Sequence, residues 1–125
     1  MKILIAEDDA TTALLLQRTL TKGGYDVTVA RDGIDALAAI KHKPFDALIT
    51  DWMMPRMDGI ELIRQVRTIV KSDMIIIVIT ALDSVKAKAH ALEAGANDYL
   101  ARPYQLSRRL QKSIGELSCS QAPAT

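Results

Sequence analysis

The chain has 125 residues, which is enough for one domain with its own hydrophobic core and too few for two. Hydrophobic residues make up 49% and charged residues 25%, so the composition is that of a globular protein and excludes a disordered chain. The formal net charge of +1 is too small for a broad surface that binds nucleic acid or an anionic membrane.

Cysteine content and hydropathy bear on where the protein resides. The single cysteine, Cys119, cannot form an internal disulfide, which fits a reducing compartment. The apolar run at residues 3–6 is too short for a signal peptide, and no other stretch is long enough to span a membrane. We therefore expect a cytoplasmic protein with no membrane partner and no direct contact with nucleic acid.

Five short apolar segments alternate with five longer amphipathic segments along the chain. The apolar segments predict strands that are covered on both faces, at residues 3–6, 27–30, 47–50, 75–80 and 99–101. Capping residues, glycines and a proline predict helices at residues 12–22, from a cap at Asp32 to residue 41, from a cap at Asp58 to residue 70, at 85–94 and at 105–117.

This alternation predicts an α/β fold of the (βα)₅ type. The five strands are expected to form a parallel sheet in the flavodoxin-like order 2-1-3-4-5, with helices on both faces. Residues 1–117 would form this domain, and the polar residues 118–125 would form a flexible tail. In such folds the functional site lies beyond the carboxyl ends of the strands, where the strand order reverses.

Polar residues follow the predicted strands at this edge. They are Glu7, Asp8 and Asp9 after the first strand, Asp51 after the third, Thr80 at the end of the fourth and Arg102 after the fifth. Clustered carboxylates repel one another unless a cation offsets their charge, and Mg²⁺ prefers oxygen ligands, so the cluster predicts a Mg²⁺ site. The chain has neither standard glycine-rich loop for a nucleotide. A carboxylate beside a metal can still accept a phosphoryl group.

The residues around these strand ends resemble the receiver domain of two-component response regulators. The matching motifs are Ile-Leu-Ile-Ala-Glu-Asp-Asp at 3–9, Asp-Trp-Met-Met-Pro-Arg-Met-Asp-Gly at 51–59, Ile-Thr-Ala at 79–81, Gly-Ala-Asn-Asp-Tyr-Leu at 95–100 and Arg-Pro at 102–103. Together, in this order, they are highly specific, and they cover about residues 2–117.

The resemblance implies a phosphoryl-accepting site that needs Mg²⁺. Asp51 would be the phosphoacceptor. Mg²⁺ would be bound by Asp8 and Asp51, by Glu7 directly or through water, and by the backbone carbonyl of Met53.

The resemblance also implies a switch. Thr80 would be the hydroxyl that moves onto the phosphoryl group, and Tyr99 the aromatic residue whose rotamer follows it. Pro103 would follow a cis peptide bond. Arg102 stands where the family almost always has lysine, and a planar guanidinium is bulkier than an ammonium group. Arg102 would either pair with the phosphoryl group or clamp Asp51 and resist activation.

The resemblance further implies partners. A sensor histidine kinase or phosphotransfer protein would donate the phosphoryl group, and a downstream partner would bind the face of helix 4, strand 5 and helix 5. Basic residues on that face are Lys86, Lys88, His90, Arg108, Arg109 and Lys112. They favour an acidic partner, although a solvated helix face explains them equally well. The chain would be a monomer or a phosphorylation-dependent dimer.

Several points stay open from the sequence. Asp9 is expected to stabilise a helix N-terminus rather than bind metal, and His42 and His90 are expected to be solvated. Strand alternation would send the Trp52 side chain to the face opposite Asp51, whereas the turn could leave it near the site.

The leading function is therefore a phosphorylation switch that catalyses only its own modification and is not an enzyme with a separate substrate. Two alternatives are a receiver-like binding module frozen by Arg102 and a small phosphatase with an aspartyl-phosphate intermediate. The phosphatase is disfavoured because the chain lacks the Asp-x-Asp motif of such enzymes after its first strand and has no room for a cap.

Overall fold

A computed structural model describes residues 1–54, 56–69, 74–80, 85–101 and 114–115. Its strands are β1 Lys2–Ala6, β2 Asp26–Ala30, β3 Ala47–Asp51, β4 Ile75–Thr80 and β5 Asp98–Ala101. Its helices are α1 Ala10–Lys22, α2 Gly33–His42, α3 Gly59–Ile69 and α4 Val85–Ala94. Residues 114–115 are helical, and the rest of the predicted fifth helix and the tail at 118–125 lie outside the described residues.

The strands form one parallel sheet in the order β2-β1-β3-β4-β5, which confirms the predicted flavodoxin-like topology. In the register of the three central strands, Ile5 pairs with Ile49, and Ile49 pairs with Ile77. Every residue of β3 and β4 is buried, as expected for central strands with helices on both faces.

Strand alternation divides the core into two layers. On one face, residues such as Leu4, Leu48 and Ile76 pack against α2, α3 and α4. On the other face, residues such as Ile49 and Ile77 pack against α1 and Ile114. Each fully buried aliphatic side chain contributes about 1.5–3 kcal/mol of transfer free energy, so the two layers hold the sheet together.

The helix boundaries follow capping residues. Asp9 caps α1 by accepting a hydrogen bond from the Thr12 N–H at 3.2 Å, so the helix begins two residues before the predicted start at 12. The helix ends at Lys22 with Gly23 as its C-cap, and Gly24 adopts a φ of 92°, which glycine tolerates best. Among the described helices, none has the length and apolar character needed to cross a bilayer.

Candidate functional site

The sheet topology brings the ends of β1 and β3 together. Glu7 and Asp8 directly follow β1, and Asp51 is the last residue of β3. Because β1 and β3 are adjacent and parallel, their carboxyl ends lie at the same edge. The Glu7 N–H donates to the carbonyl oxygen of Ala30 at 3.0 Å, which extends the pairing of β1 with β2 beyond the strand and fixes the Glu7 backbone.

Three carboxylates form a cluster at this edge. One oxygen from each of Glu7, Asp8 and Asp51 lies within 4.8 Å of the other two. The Glu7 and Asp51 residues are only 2% and 8% exposed, whereas Asp8 is exposed to solvent. Hard oxygen ligands at this spacing fit a Mg²⁺ ion, and the solvent-facing side leaves room for water and for phosphoryl oxygens. The structure thus brings together three of the four predicted ligand residues.

Asp9 has a different role from its acidic neighbours. Its carboxylate accepts hydrogen bonds from the N–H and the hydroxyl of Thr12. This confirms the prediction that Asp9 stabilises a helix N-terminus. Its backbone N–H also donates to Oε1 of Glu7 at 3.1 Å, so the start of α1 orients the Glu7 carboxylate.

The loop after β3 is closed tightly beneath Asp51. The Gly59 N–H donates to the carbonyl oxygen of Trp52 at 2.8 Å. A Cβ atom at Gly59 would collide with the backbone carbonyl of Asp51, so only glycine fits there. The sequence indicated this glycine as part of the motif at 51–59 and of a helix start, but not its contact with the Asp51 carbonyl. Met53 lies on the same loop with its side chain exposed, and its carbonyl stays a predicted ligand.

Thr80 and Tyr99 lie on the neighbouring strands β4 and β5. Thr80 ends β4 and is 2% exposed, and Val78, two residues before it, pairs with Tyr99. The Tyr99 residue is 7% exposed and its hydroxyl oxygen is buried, so the ring points into the molecule. By strand alternation both side chains belong to the face covered by α3 and α4. Their switching roles stay predictions.

The Trp52 side chain lies on the sheet face opposite Asp51. It packs against the core layer under α2, α3 and α4. Its ring stacks on His90 with centroids 5.7 Å apart and meets the edge of Tyr99 at 6.4 Å. Strand alternation therefore continues one residue beyond β3. His90 is exposed as expected, but its contact with Trp52 is not predicted by the sequence pattern.

An ion pair between Asp32 and Arg56 was not predicted. The Nε and Nη2 atoms of Arg56 both donate to Oδ2 of Asp32, the former at 2.9 Å. Oδ1 of Asp32 accepts from the Asp35 N–H at 2.8 Å, which confirms Asp32 as the cap of α2. The hydrogen bond from the Asp35 N–H holds the pKa of Asp32 below its ordinary value. Burial opposes this effect only in part, and the Arg56 guanidinium reinforces it.

Some of the remaining predicted residues are described by the structure and others are not. Lys86, Lys88 and His90 are exposed on α4, as a partner face requires. Outside the described residues lie Arg102, Pro103, Arg108, Arg109 and Lys112. Their proposed contributions stay predictions.

Comparison with known proteins decides the family. A family model described as the response regulator receiver domain matches residues 3–114. The chain belongs to this family. This receiver domain is 44% identical over 112 residues to the response regulator MprA of Mycobacterium avium and 43% identical to that of Mycobacterium leprae. Each alignment covers 90% of this chain and 49% of the relative, so the receiver domain spans about half the length of those response regulators.

Solved structures agree with this assignment. The receiver domain of the Francisella response regulator 1452 superimposes with a TM-score of 0.89 at 34% identity, covering 95% of this chain and 97% of that one. The receiver domain of the sensor histidine kinase PA1611 from Pseudomonas aeruginosa gives a TM-score of 0.83 at 31% identity, over 93% and 95% of the two chains. That structure is described as having a magnesium ion coordinated in the active site cleft.

Proposed function

We propose that this receiver domain accepts a phosphoryl group on Asp51 from a phosphohistidine of a sensor histidine kinase or phosphotransfer protein. The supporting observation is the cluster of Glu7, Asp8 and Asp51, whose carboxylate oxygens lie within 4.8 Å of one another at the switch point of the sheet. Mg²⁺ would be held by these three side chains and by the backbone carbonyl of Met53. The proposal places the protein in the cytoplasm.

The chemistry requires Asp51 to act as a nucleophile. A carboxylate oxygen of Asp51 would attack the phosphorus atom in line with the bond to the donor imidazole. The phosphorus–nitrogen bond would break, the imidazole would leave with a proton from solvent, and a phosphorus–oxygen bond to Asp51 would form. When bound, Mg²⁺ offsets negative charge on the phosphoryl oxygens. Phosphorylation and its hydrolysis would be the only reactions, so we class the chain as a switch rather than an enzyme.

This chain's residues would hold the reacting carboxylate in place before the donor arrives. The backbone of Asp51 is fixed by its pairing with Ile79 of β4 and by the glycine packed against its carbonyl. Glu7 is held by Asp9, and the exposed Asp8 marks the side from which a donor reaches the cluster. Such a prearranged geometry lowers the entropy cost of reaching the transition state.

The output of the switch would run through Thr80 and Tyr99. A phosphoryl group adds a charge of about −1.5 to −2 at neutral pH. The Thr80 hydroxyl would move to donate a hydrogen bond to the phosphoryl group. The buried Tyr99, which pairs with Val78 two residues before Thr80, would repack with that movement. The exposed basic residues of α4 would then present a changed surface to an acidic downstream partner.

The test is phosphotransfer from a histidine phosphotransfer protein carrying a labelled phosphohistidine. We expect label on the wild-type chain with Mg²⁺, little with EDTA, and none on Asp51→Asn. Arg102→Lys, which restores the residue expected from the resemblance, should accept label at least as fast as the wild type if Arg102 acts as a cation for the phosphoryl group. Label on Asp51→Asn, or none on the wild type and none on Arg102→Lys, would refute the proposal.

A further inference from the structure

The loop that connects Asp51 to α3 is fastened at two ends. At its base, Gly59 donates to Trp52 and packs against the carbonyl of Asp51. At its outer end, Arg56 pairs with Asp32 at the start of α2. Met53, whose carbonyl is the proposed fourth ligand, lies between these two points. Fixing the outer end therefore limits where that carbonyl can go.

The backbone at Arg56 is strained. Its φ is 68°, and among the residues that the structure describes it is the one non-glycine residue with positive φ. An L-residue adopts this left-handed conformation at a cost, because its Cβ approaches the following carbonyl oxygen. Such a conformation persists where surrounding contacts impose it. Arg56 donates two hydrogen bonds to one oxygen of Asp32, and its Nη2 also lies 3.8 Å from Oδ1 of Asp35, so both contacts are to the start of α2.

Asp32 is a rigid partner for this contact. Its side chain is 11% exposed, and its other oxygen is used in capping α2. The next residue, Gly33, packs so closely on the loop that a Cβ there would lie 2.6 Å from the carbonyl oxygen of Met57. Asp32 also lies two residues after Ala30, whose carbonyl accepts the hydrogen bond of Glu7. The contact therefore joins the loop to the same part of the sheet that positions Glu7.

We propose that Arg56 is a positioning residue for the metal site: its pairing with Asp32 holds the loop after β3 in the conformation that presents the Met53 carbonyl to Mg²⁺. This inference rests on the proposed function, because it requires that the acidic cluster binds Mg²⁺. It assigns the Asp32–Arg56 pair to metal affinity rather than only to the stability of the fold.

The direction in which Mg²⁺ affinity changes in Arg56→Ala distinguishes positioning from simple charge repulsion. Removing a positive charge from a loop beside a cation site strengthens cation binding, since like charges repel. Removing the negative charge of Asp32 weakens it for the same reason. If positioning dominates, both Arg56→Ala and Asp32→Asn weaken Mg²⁺ binding. Asparagine caps a helix as well as aspartate does, so Asp32→Asn leaves α2 intact.

The experiment measures the Mg²⁺ dissociation constant by isothermal titration calorimetry at constant ionic strength. Residues that orient metal ligands typically contribute tenfold or more, so we expect about tenfold weaker binding for Arg56→Ala and for Asp32→Asn. The double variant should bind Mg²⁺ no more weakly than the weaker of the two single variants, because each single substitution already breaks the same Asp32–Arg56 ion pair. Arg56→Lys should fall in between, since an ammonium group keeps the charge without the fork of donors.

Two further variants separate the ion pair from other causes. Arg56→Gly relieves the backbone strain but removes the pair, so it should also bind about tenfold more weakly if the pair is what positions the loop. Arg64→Ala removes the same charge from an exposed position on α3 and should bind as tightly as the wild type. Urea unfolding of each variant in EDTA shows that the domain is folded before titration.

The outcomes distinguish this inference from the proposed function. Wild-type affinity or tighter binding in Arg56→Ala, or full affinity in Arg56→Gly, overturns the positioning role while leaving the metal site intact. A wild-type chain that binds no Mg²⁺ overturns the metal step of the proposed function, and the positioning role with it.

Discussion

The interior of the strands and the residues at which they end are both buried, but they are built from opposite kinds of side chain. Along β4, Ile75–Ile79 are all apolar and almost completely inaccessible to solvent. At the carboxyl edge, Glu7, Asp51 and Thr80 are nearly as inaccessible, yet two are carboxylates and one is a hydroxyl.

The difference shows which part of the molecule carries stability and which carries chemistry. Burying aliphatic surface stabilises the fold, whereas burying neighbouring carboxylates costs free energy unless a cation or hydrogen bonds offset it. The burial of Glu7 and Asp51 beside each other and beside Asp8 is therefore what the proposed cation site would explain. Substitutions in the interior should change unfolding, and substitutions at the edge should change binding and phosphorylation.

The largest expected loss of stability comes from the interior. Ile77→Ala removes a fully buried side chain from the layer under α1, and it should lower the free energy of unfolding by about 3–4 kcal/mol. The matched control is Ile34→Ala at the exposed start of α2, where the same truncation should cost under about 1 kcal/mol. Urea unfolding in EDTA measures both. Equal losses at the two positions would remove the distinction between interior and surface.

Mg²⁺ should stabilise the folded domain by binding to the carboxylate cluster at the carboxyl ends of the strands. At a free concentration one hundred times its dissociation constant, the ion should add about 2.7 kcal/mol to the free energy of unfolding. Asp8→Asn should lose most of this gain at the same Mg²⁺ concentration. Asp9→Asn makes the same charge change one residue further along, retains the cap of α1 and should keep the gain. Equal loss in both variants would mean that charge alone, rather than ligation, sets the affinity.

A smaller effect follows from the lowered pKa of Asp32. Its folded-state pKa lies below the unfolded value of about 3.9, so the ionised side chain stabilises the fold at higher pH. This contribution should be complete above about pH 5 and should disappear as the pH falls through the folded-state pKa. Urea unfolding of the wild type and Asp32→Asn from pH 7 to pH 2.5 should show the two stabilities converging at acid pH. A constant difference would refute the linkage.

The smallest effect is expected at the stacked pair. His90→Ala should change the free energy of unfolding by no more than about 0.5 kcal/mol because His90 is exposed. It uncovers one face of the only tryptophan, so Trp52 emission should shift to longer wavelength. His42→Ala on α2 is the control and should leave the emission unchanged. An unshifted spectrum for His90→Ala would mean that the stack is not formed in solution.

The features that were predicted correctly depend on local pattern and simple topology. The run at 75–79 is β-branched and too short for a typical helix, which favours a buried strand, and adjacent parallel strands bring the residues that follow β1 and end β3 to one edge of the sheet. The sequence pattern predicts that α1 begins at Thr12, two residues late, whereas Asp9 supplies the cap and the helix begins at Ala10. Errors of this size arise because several polar residues near a helix start can cap it.

The features that were missed depend on loops approaching one another. Nothing in the sequence near Arg56 indicates that it pairs with Asp32, which is 24 positions away. The contact of His90 with Trp52 likewise requires α4 to be packed on the sheet before it exists. The role of Gly59 depends on how closely the loop returns to the carbonyl of Asp51. These are tertiary distances, and residue type alone does not encode them.

The central claim is that the acidic cluster supports phosphorylation of Asp51, and intact-mass measurement tests it most directly. The wild type and Asp51→Asn would each be incubated with acetyl phosphate, in Mg²⁺ and in EDTA. We expect the mass of one added phosphoryl group on the wild type in Mg²⁺ only, and none on Asp51→Asn. An adduct that survives Asp51→Asn, or that forms equally well in EDTA, would contradict it.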